Sequence, residues 1–197
     1  MSEQPTLHTK RLILRPFRLT DAAAVQEFAG AREIADTTTH IPHPYPDGAA
    51  EGWIGTHAAA WEGGTLATFA ITDRERGSLM GAIGLVISPE SERAELGYWI
   101  AKQHWKRGYC TEAAHAMLAF GFGVLRLHRI EARHFVRNPA SGRVMQKLGM
   151  KLEGIHRESV KKWDRFEDLA LYAILASELV AKSQPAGHER NSGGVQG

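Results

Sequence analysis

The chemistry in this chain is concentrated in two short words. The first, GYWIAKQHWKRGYCTEAAHAM, occupies residues 97–117. In it a strand ends near Ala101, a loop carries Lys106, Arg107 and Gly108, and a helix begins at about Thr111. The first turn of a helix leaves backbone N–H groups unpaired, and the aligned peptide dipoles favour negative charge there. A glycine lets backbone approach an anion closely. Strand, basic glycine loop and helix N-terminus together predict a cradle for phosphate. The competing reading is an ordinary strand–helix connection with solvated Lys and Arg. A P-loop is excluded, because GxxxxGK[ST] is absent. The second word, NPASGRVMQKLGMKLEG, starts at Asn138, where a strand ends and Pro139 opens a helix.

Other reactive types are scattered around these words. Glu95 lies on the strand leading into the loop, on the face it shares with Trp99. By itself it reads as a surface partner of Arg93 or a neighbouring strand. Cys110 is the single cysteine, so there is no disulfide framework and no Cys-rich zinc site. Its place at a helix start beside Lys106 and Arg107 predicts a thiol pKa below the usual ~8.5 and a reactive sulfur. No His–Asp pair stands beside it, which disfavours covalent catalysis. His40 and His43 lie in a Pro-locked loop and His57 beyond it, without the i,i+4 spacing of a helical zinc motif, so no metal is expected. The basic run Arg126, His128, Arg129, Arg133, His134 and Arg137 is either a patch for an acidic group or a solvated face.

These residues are positioned by an alternating set of elements. RLILRPF, residues 11–17, reads as a strand, and Thr20 as the N-cap of a helix over 21–31 with Val25 and Phe28 inward. Pro42, Pro44 and Pro46 impose an extended loop, after which Asp47 opens a helix to about Trp61. Strands follow over 67–73, 79–87 and 93–101, the last two forming an antiparallel hairpin through SPESE. In the third, Ala94, Leu96, Tyr98 and Ile100 share one face and Arg93, Glu95, Gly97 and Trp99 the other. A helix over 111–124, a strand over 129–136 and a helix over 139–148 capped by Gly149 come next. Two final strands, 151–160 and 167–175, flank the turn KKWDRF. The order β-α-α-β-β-β-α-β-α-β-β is a mixed α/β sandwich, and it argues against a Rossmann dinucleotide enzyme.

Composition agrees with one globular domain. The chain has 197 residues, 43% of them hydrophobic and 23% charged, enough to bury a core without staples. Lys plus Arg number 24 against 22 Asp plus Glu, too balanced for a general nucleic-acid binder. The first ten residues contain no apolar core of a signal peptide, and the apolar stretch 113–125 is short and interrupted by His115. A cytoplasmic protein without a membrane segment is expected. The domain is placed at residues 7–180, and SQPAGHERNSGGVQG, residues 183–197, reads as a disordered tail.

Taken in order, TKRLILRPFRLTDA, IPHPYP, GYWIAKQHWKRGYCTEA and NPASGRVMQKLGMKLEG resemble the GNAT superfamily of acyl-CoA N-acyltransferases, within it the RimJ/RimL-type ribosomal-protein N-terminal acetyltransferases. The resemblance covers residues 7–179. It implies a GNAT-like, mostly antiparallel central sheet with helices on both faces, and acetyl-CoA as co-substrate with no metal. The family's Q/R-x-x-G-x-G/A loop reads here as Trp105-Lys106-Arg107-Gly108-Tyr109-Cys110. Trp105 replaces Gln or Arg, and Cys110 the small final residue. The backbone of Arg107, Gly108, Cys110 and Thr111 would hold the pyrophosphate, with Lys106 and Tyr109 in the same loop. The strand edge at Trp99, Ile100 and Ala101 would pair with the pantetheine amides, and Asn138 would contact them. Glu95 matches a base acting through water. The usual acid Tyr is replaced by Met145, and Ser141 is the hydroxyl the RimJ/RimL branch offers instead. His40, His43 and Tyr45 would line the acceptor site.

The expected reaction is acetyl transfer to a primary amine by direct attack in a ternary complex, the acceptor being a ribosomal or other protein N-terminus. A small amine such as an antibiotic or polyamine is the alternative acceptor. Asp36 and Asp47 are isolated in the acceptor loop, which disfavours a polycation. A non-catalytic acyl-CoA-binding module is the alternative of another class. A homodimer is compatible with the sequence.

Overall fold

Eight strands build one sheet. The computed structural model describes residues 3–183. Its strands are β1 (Leu7–His8), β2 (Leu12–Arg15), β3 (Leu66–Asp73), β4 (Leu79–Ser88), β5 (Arg93–Ile100), β6 (Arg129–Phe135), β7 (Lys151–Lys162) and β8 (Arg165–Leu175). They lie in the order β1-β2-β3-β4-β5-β6-β8-β7, antiparallel throughout except between β5 and β6. The helices are α1 (Ala22–Ala29), α2 (Arg32–Thr37), α3 (Ala49–Gly55), α4 (His57–Glu62), α5 (Tyr109–Gly123), α6 (Pro139–Leu148) and α7 (Ala176–Ser183).

Both faces of the sheet are covered. On one, Leu96 and Ile100 of β5 and Phe69 and Ile71 of β3 pack with Met117 and Leu118 of α5 and Met145 of α6. On the other, Trp99, Ala82 and Ala70 pack with Val25 of α1 and Ile54 of α3. This is the mixed α/β architecture expected, with helices on both faces. Burial on both sides explains why LATFAITD, the sequence of β3, is a nearly continuous apolar run.

The differences from expectation are local. The first helix is not capped by Thr20. The chain enters it through a 3-10 turn over Leu19–Asp21 with no side-chain cap on α1; the Asp21 carboxylate instead ties the turn back, accepting from the Arg18 backbone N–H at 2.8 Å and from two Arg15 nitrogens, each at 2.8 Å. The helix expected from Asp47 to Trp61 starts after Gly48, in the left-handed region at φ 76°, and breaks at Thr56 into α3 and α4. Gly52 and Gly55 weaken it just before the break. β1 and α2 have no counterpart in the sequence reading, being too short for periodicity to register. The C-terminal tail was expected from Ser183, but Ser183 closes α7; residues 184–197 lie outside the described residues.

His57 is the exceptional core residue. It is 6% exposed, packed edge-on to Trp53 at 4.5 Å and Phe17 at 5.5 Å, and neither ring nitrogen has a partner. Burial pushes its pKa down from 6.5 to about 4. The unfolded chain therefore takes up a proton as the pH falls through 6.5, whereas the folded chain does not until about 4. The stability present above 6.5 is lost progressively across that window, by up to about 3 kcal/mol. Urea unfolding at pH 7 and pH 4.5 is expected to show a smaller acid loss in His57→Leu than in the unaltered chain. Equal losses would contradict this.

Candidate active site

The site begins with a split in the sheet. β5 and β6 pair at only three positions, Arg93 with Arg129, Ala94 with Ile130 and Glu95 with Glu131. Beyond them the strands diverge. β5 remains paired to β4 as far as Ile100, and β6 to β8 as far as Phe135, so each strand keeps its outer neighbour and loses its inner one. Two rows of peptide groups then face a wedge rather than each other. Backbone N–H and C=O groups inside a fold require partners, and an extended, amide-bearing chain laid between the strands supplies them.

The basic loop closes the β5 side of the wedge. Lys106, Arg107 and Gly108 are exposed, and Gly108 adopts φ 79° directly before the 15-residue α5. A Cβ at Gly108 would meet no backbone, its nearest contact being Arg11 at 3.6 Å. Glycine is thus required there by its left-handed conformation and not by crowding. Trp105 turns back and its indole N–H donates to the Ile100 carbonyl at 2.6 Å. The Ala101 N–H donates to Met80 O at 2.8 Å. Of the three residues expected to offer a strand edge, Ile100 and Ala101 each already have one of these backbone groups engaged, and Trp99 is buried with its ring against the α1 and α3 face. The stretch of β5 facing the wedge starts further back, at Leu96.

The α6 side carries the hydroxyls. Asn138 caps α6, its side-chain oxygen accepting from the Ser141 N–H at 3.4 Å. The Ser141 hydroxyl lies 2.9 Å from the hydroxyl of Tyr98, which also donates to the Ser141 carbonyl at 3.2 Å. Burial pushes the Tyr98 phenol well above its usual range, so it stays protonated. Sequence reasoning placed Tyr98 on the apolar face but missed this pairing, whose signal was a phenol alternating with Leu96 and Ile100. Met145 is 1% exposed in the core and offers no proton. Gly142 is required by space: a Cβ there would stand 2.7 Å from Nε2 of His134, whose other nitrogen meets the Phe135 carbonyl at 2.8 Å.

Glu95 stands on the opposite face of the sheet from Ser141, as strand alternation demands. Its carboxylate is ion-paired to Arg133 of β6, across the point where the wedge opens. On this face a shallow pocket of about 170 Å³ is lined by Trp53, Thr68, Ala82, Gly84, Gly97 and Trp99. Trp53 comes from α3. Of the loop residues expected to line an acceptor site, His43 is exposed and bonded to the Gly30 carbonyl at 3.0 Å, Tyr45 packs against the α1 and α3 cluster, and His40 is exposed. None of the three lines the pocket.

α2 spans the two lips of the wedge. Glu33 bonds to Lys102 just after β5, and Asp36 pairs with Arg137 just after β6 at 2.9 Å. Arg165 also reaches Asp36, at 3.0 Å, and Arg137 reaches Glu167 at 2.8 Å. Lys162, 5% exposed, donates to the Ile41 carbonyl at 2.7 Å and so moors the proline loop to the tip of β7. Much of the basic run is consumed this way: Arg129 holds Glu153 and Arg133 holds Glu95. No group of three or more His, Cys, Asp or Glu placed to hold a metal occurs among the described residues, and no helix among them is long and apolar enough to cross a membrane.

Comparison with known proteins gives this geometry relatives. The family model described as the acetyltransferase (GNAT) domain matches residues 11–151. The uncharacterized N-acetyltransferase YoaA of Bacillus subtilis is 31% identical over 172 residues, 87% of this chain and 97% of the relative. The ribosomal-protein-serine acetyltransferase of Escherichia coli is 31% identical over 87 residues, 44% of this chain and 49% of that one. Among solved structures, a GNAT-family acetyltransferase of Bacillus anthracis superposes with a TM-score of 0.79 at 26% identity, covering 88% of this chain and 100% of its own. The spermidine N-acetyltransferase of Vibrio cholerae, solved with CoA and spermine, shares the fold with a TM-score of 0.76 at 22% identity over 87% of this chain and 99% of its own.

Cys110 departs from the sequence reading. It sits in the first turn of α5 as expected, but it packs against the main core, and burial pushes its thiol up to about 12. Desolvation outweighs the helix dipole and the exposed cations, whose fields are screened by water. Iodoacetamide at pH 8 is therefore expected to alkylate Cys110 in the folded chain at least about tenfold more slowly than free cysteine. A rate above that of free cysteine would restore the thiolate reading.

Proposed function

The chain belongs to the GNAT acetyltransferase family and is an acetyl-CoA-dependent N-acetyltransferase, and we propose that its acceptor is a protein N-terminal α-amine. The observation that carries the site assignment is the coincidence of the β5–β6 wedge with the glycine loop at the head of α5. In this reading the backbone of Arg107, Gly108, Cys110 and Thr111 holds the pyrophosphate, with Lys106 and Arg107 supplying charge. The facing edges of β5 and β6, with Asn138, take the amide-bearing arm. The thioester then lies in the wedge, open to both faces of the sheet.

The neutral amine attacks the thioester carbonyl carbon. The tetrahedral oxyanion collapses, the C–S bond breaks and the leaving thiolate takes a proton. Glu95 is assigned as the base, acting through water from the pocket face, and Ser141 as the proton donor from the α6 face. Tyr98, held protonated by burial, hydrogen-bonds to that serine.

Three arguments favour an α-amine. An α-amino group has a reference pKa near ~8 and a lysine near ~10.4, so presenting a neutral lysine at pH 7 costs about 3 kcal/mol more. The pocket beside Glu95 is apolar and contains no carboxylate, which suits an apolar or small first residue better than a polyamine. The E. coli ribosomal-protein-serine acetyltransferase supports the same choice.

Gly108→Glu is expected to weaken acetyl-CoA binding at least about tenfold in calorimetry, because it sets a carboxylate at the diphosphate position. Unchanged affinity in a folded variant would remove the cradle. Ser141→Ala is expected to lower kcat about a hundredfold while leaving acetyl-CoA affinity nearly intact. For the acceptor, a free-N-terminus peptide should react faster than its N-blocked, lysine-containing twin and faster than spermidine. Preference for spermidine would transfer the assignment to a polyamine, and preference for the blocked twin to a side-chain amine.

A further inference from the structure

A charged constellation with no role so far lies against the basic loop. Arg11, immediately before β2, and Glu112, in the first turn of α5, are 101 positions apart in the chain. The Arg11 Nε donates to Glu112 Oε2 at 2.6 Å, and the Arg11 backbone N–H donates to Oε1 at 2.8 Å. The Thr9 hydroxyl donates to the same Oε1 at 2.7 Å. The Arg11 Nη1 donates to the Arg107 carbonyl at 3.1 Å, and the guanidinium lies 4.4 Å from the centre of the Tyr109 ring. One arginine thus grips the loop residue before Gly108, the first residue of α5 and its first-turn carboxylate.

Stability is a poor explanation for this arrangement. The Arg11 and Glu112 side chains are 43% and 18% exposed, and ion pairs so open to water contribute little. The consequence is local. Burial alone would raise the Glu112 carboxyl, but the hydrogen bonds from Thr9 and Arg11 hold it below its usual range, so it remains an anion. An uncompensated anion at a helix N-terminus would repel phosphates brought to the same helix end. Arg11 compensates it. The bond to the Arg107 carbonyl has a second effect. A trans peptide is planar, and its C=O and N–H point in opposite directions. Holding the Arg107 carbonyl toward Arg11 therefore holds the Gly108 N–H away from Arg11, toward the open side of the loop.

We propose that Arg11 is a positioning residue of the diphosphate cradle, neutralising Glu112 and fixing the Arg107–Gly108 peptide so that its N–H faces the anion. The inference rests on the reading of residues 105–111 as that cradle. Its signature is selective loss of phosphate-bearing donors. Arg11→Leu is expected to weaken acetyl-CoA binding at least about tenfold. The same variant should keep kcat/KM with acetyl-pantetheine, which carries no phosphate, within about twofold. Glu112→Gln added to Arg11→Leu should recover part of the lost acetyl-CoA affinity, since the uncompensated carboxylate is gone. An equal fall on both donors would mean a merely structural arginine and would overturn the proposal, as would unchanged acetyl-CoA affinity in Arg11→Leu. Gly108→Glu separates the two readings. If it weakens acetyl-CoA binding and Arg11→Leu does not, the clamp alone fails; if it does not, the cradle fails and the clamp with it.

Discussion

The early parting of β5 and β6 is the constraint on which the rest of the site depends. Parallel strands joined by a helical crossover ordinarily pair along their length, and unpaired backbone inside a sheet is costly. Here three paired positions act as a hinge point, and each strand is held open by what it does on its outer side. β4 anchors β5 and β8 anchors β6, so the wedge is as rigid as the two half-sheets that bound it. The loop before α5 ends on one lip and the start of α6 on the other, because those connections leave from the diverging ends.

Electrostatics reinforces the opening rather than causing it. Arg133 and Glu95 bridge the wedge where it begins. Glu33 and Asp36, three residues apart on α2, each reach a cation on a different lip. These pairs are partly exposed, so each contributes little to global stability. Their joint effect is to define the distance between two elements that share no backbone hydrogen bonds there. The same logic applies at Arg11, where an exposed pair matters through the peptide it orients.

Burial decides the character of the titratable groups more than sequence neighbourhood does. Cys110 has two cations close by in the chain, yet its sulfur packs against the core and its thiol is pushed up to about 12. His57 falls to about 4 between two aromatic rings. Tyr98 remains a phenol, which suits it to sharing a proton with Ser141 and to no acid–base role of its own near neutrality.

Local patterns were enough for the main elements. The six long strands of the centre and C-terminus, the hairpin of β4 and β5, and α6 with its Pro139 start and Gly149 stop were legible because alternation, helical spacing and caps are encoded within a few residues. The basic glycine loop was legible for the same reason, and Gly108 does take the left-handed conformation. What stayed hidden depends on partners distant in sequence. α2 is six residues long, and its anchors, Lys102 and Arg137, come from far along the chain. Trp53 in the pocket, the Tyr98–Ser141 hydroxyl pair and the Arg11–Glu112 clamp join segments that no periodicity connects. Sequence determined which strands and helices form and which side chains share a face. Tertiary structure alone decided where two paired strands part and which charges compensate each other, because both are set by packing between elements rather than within them.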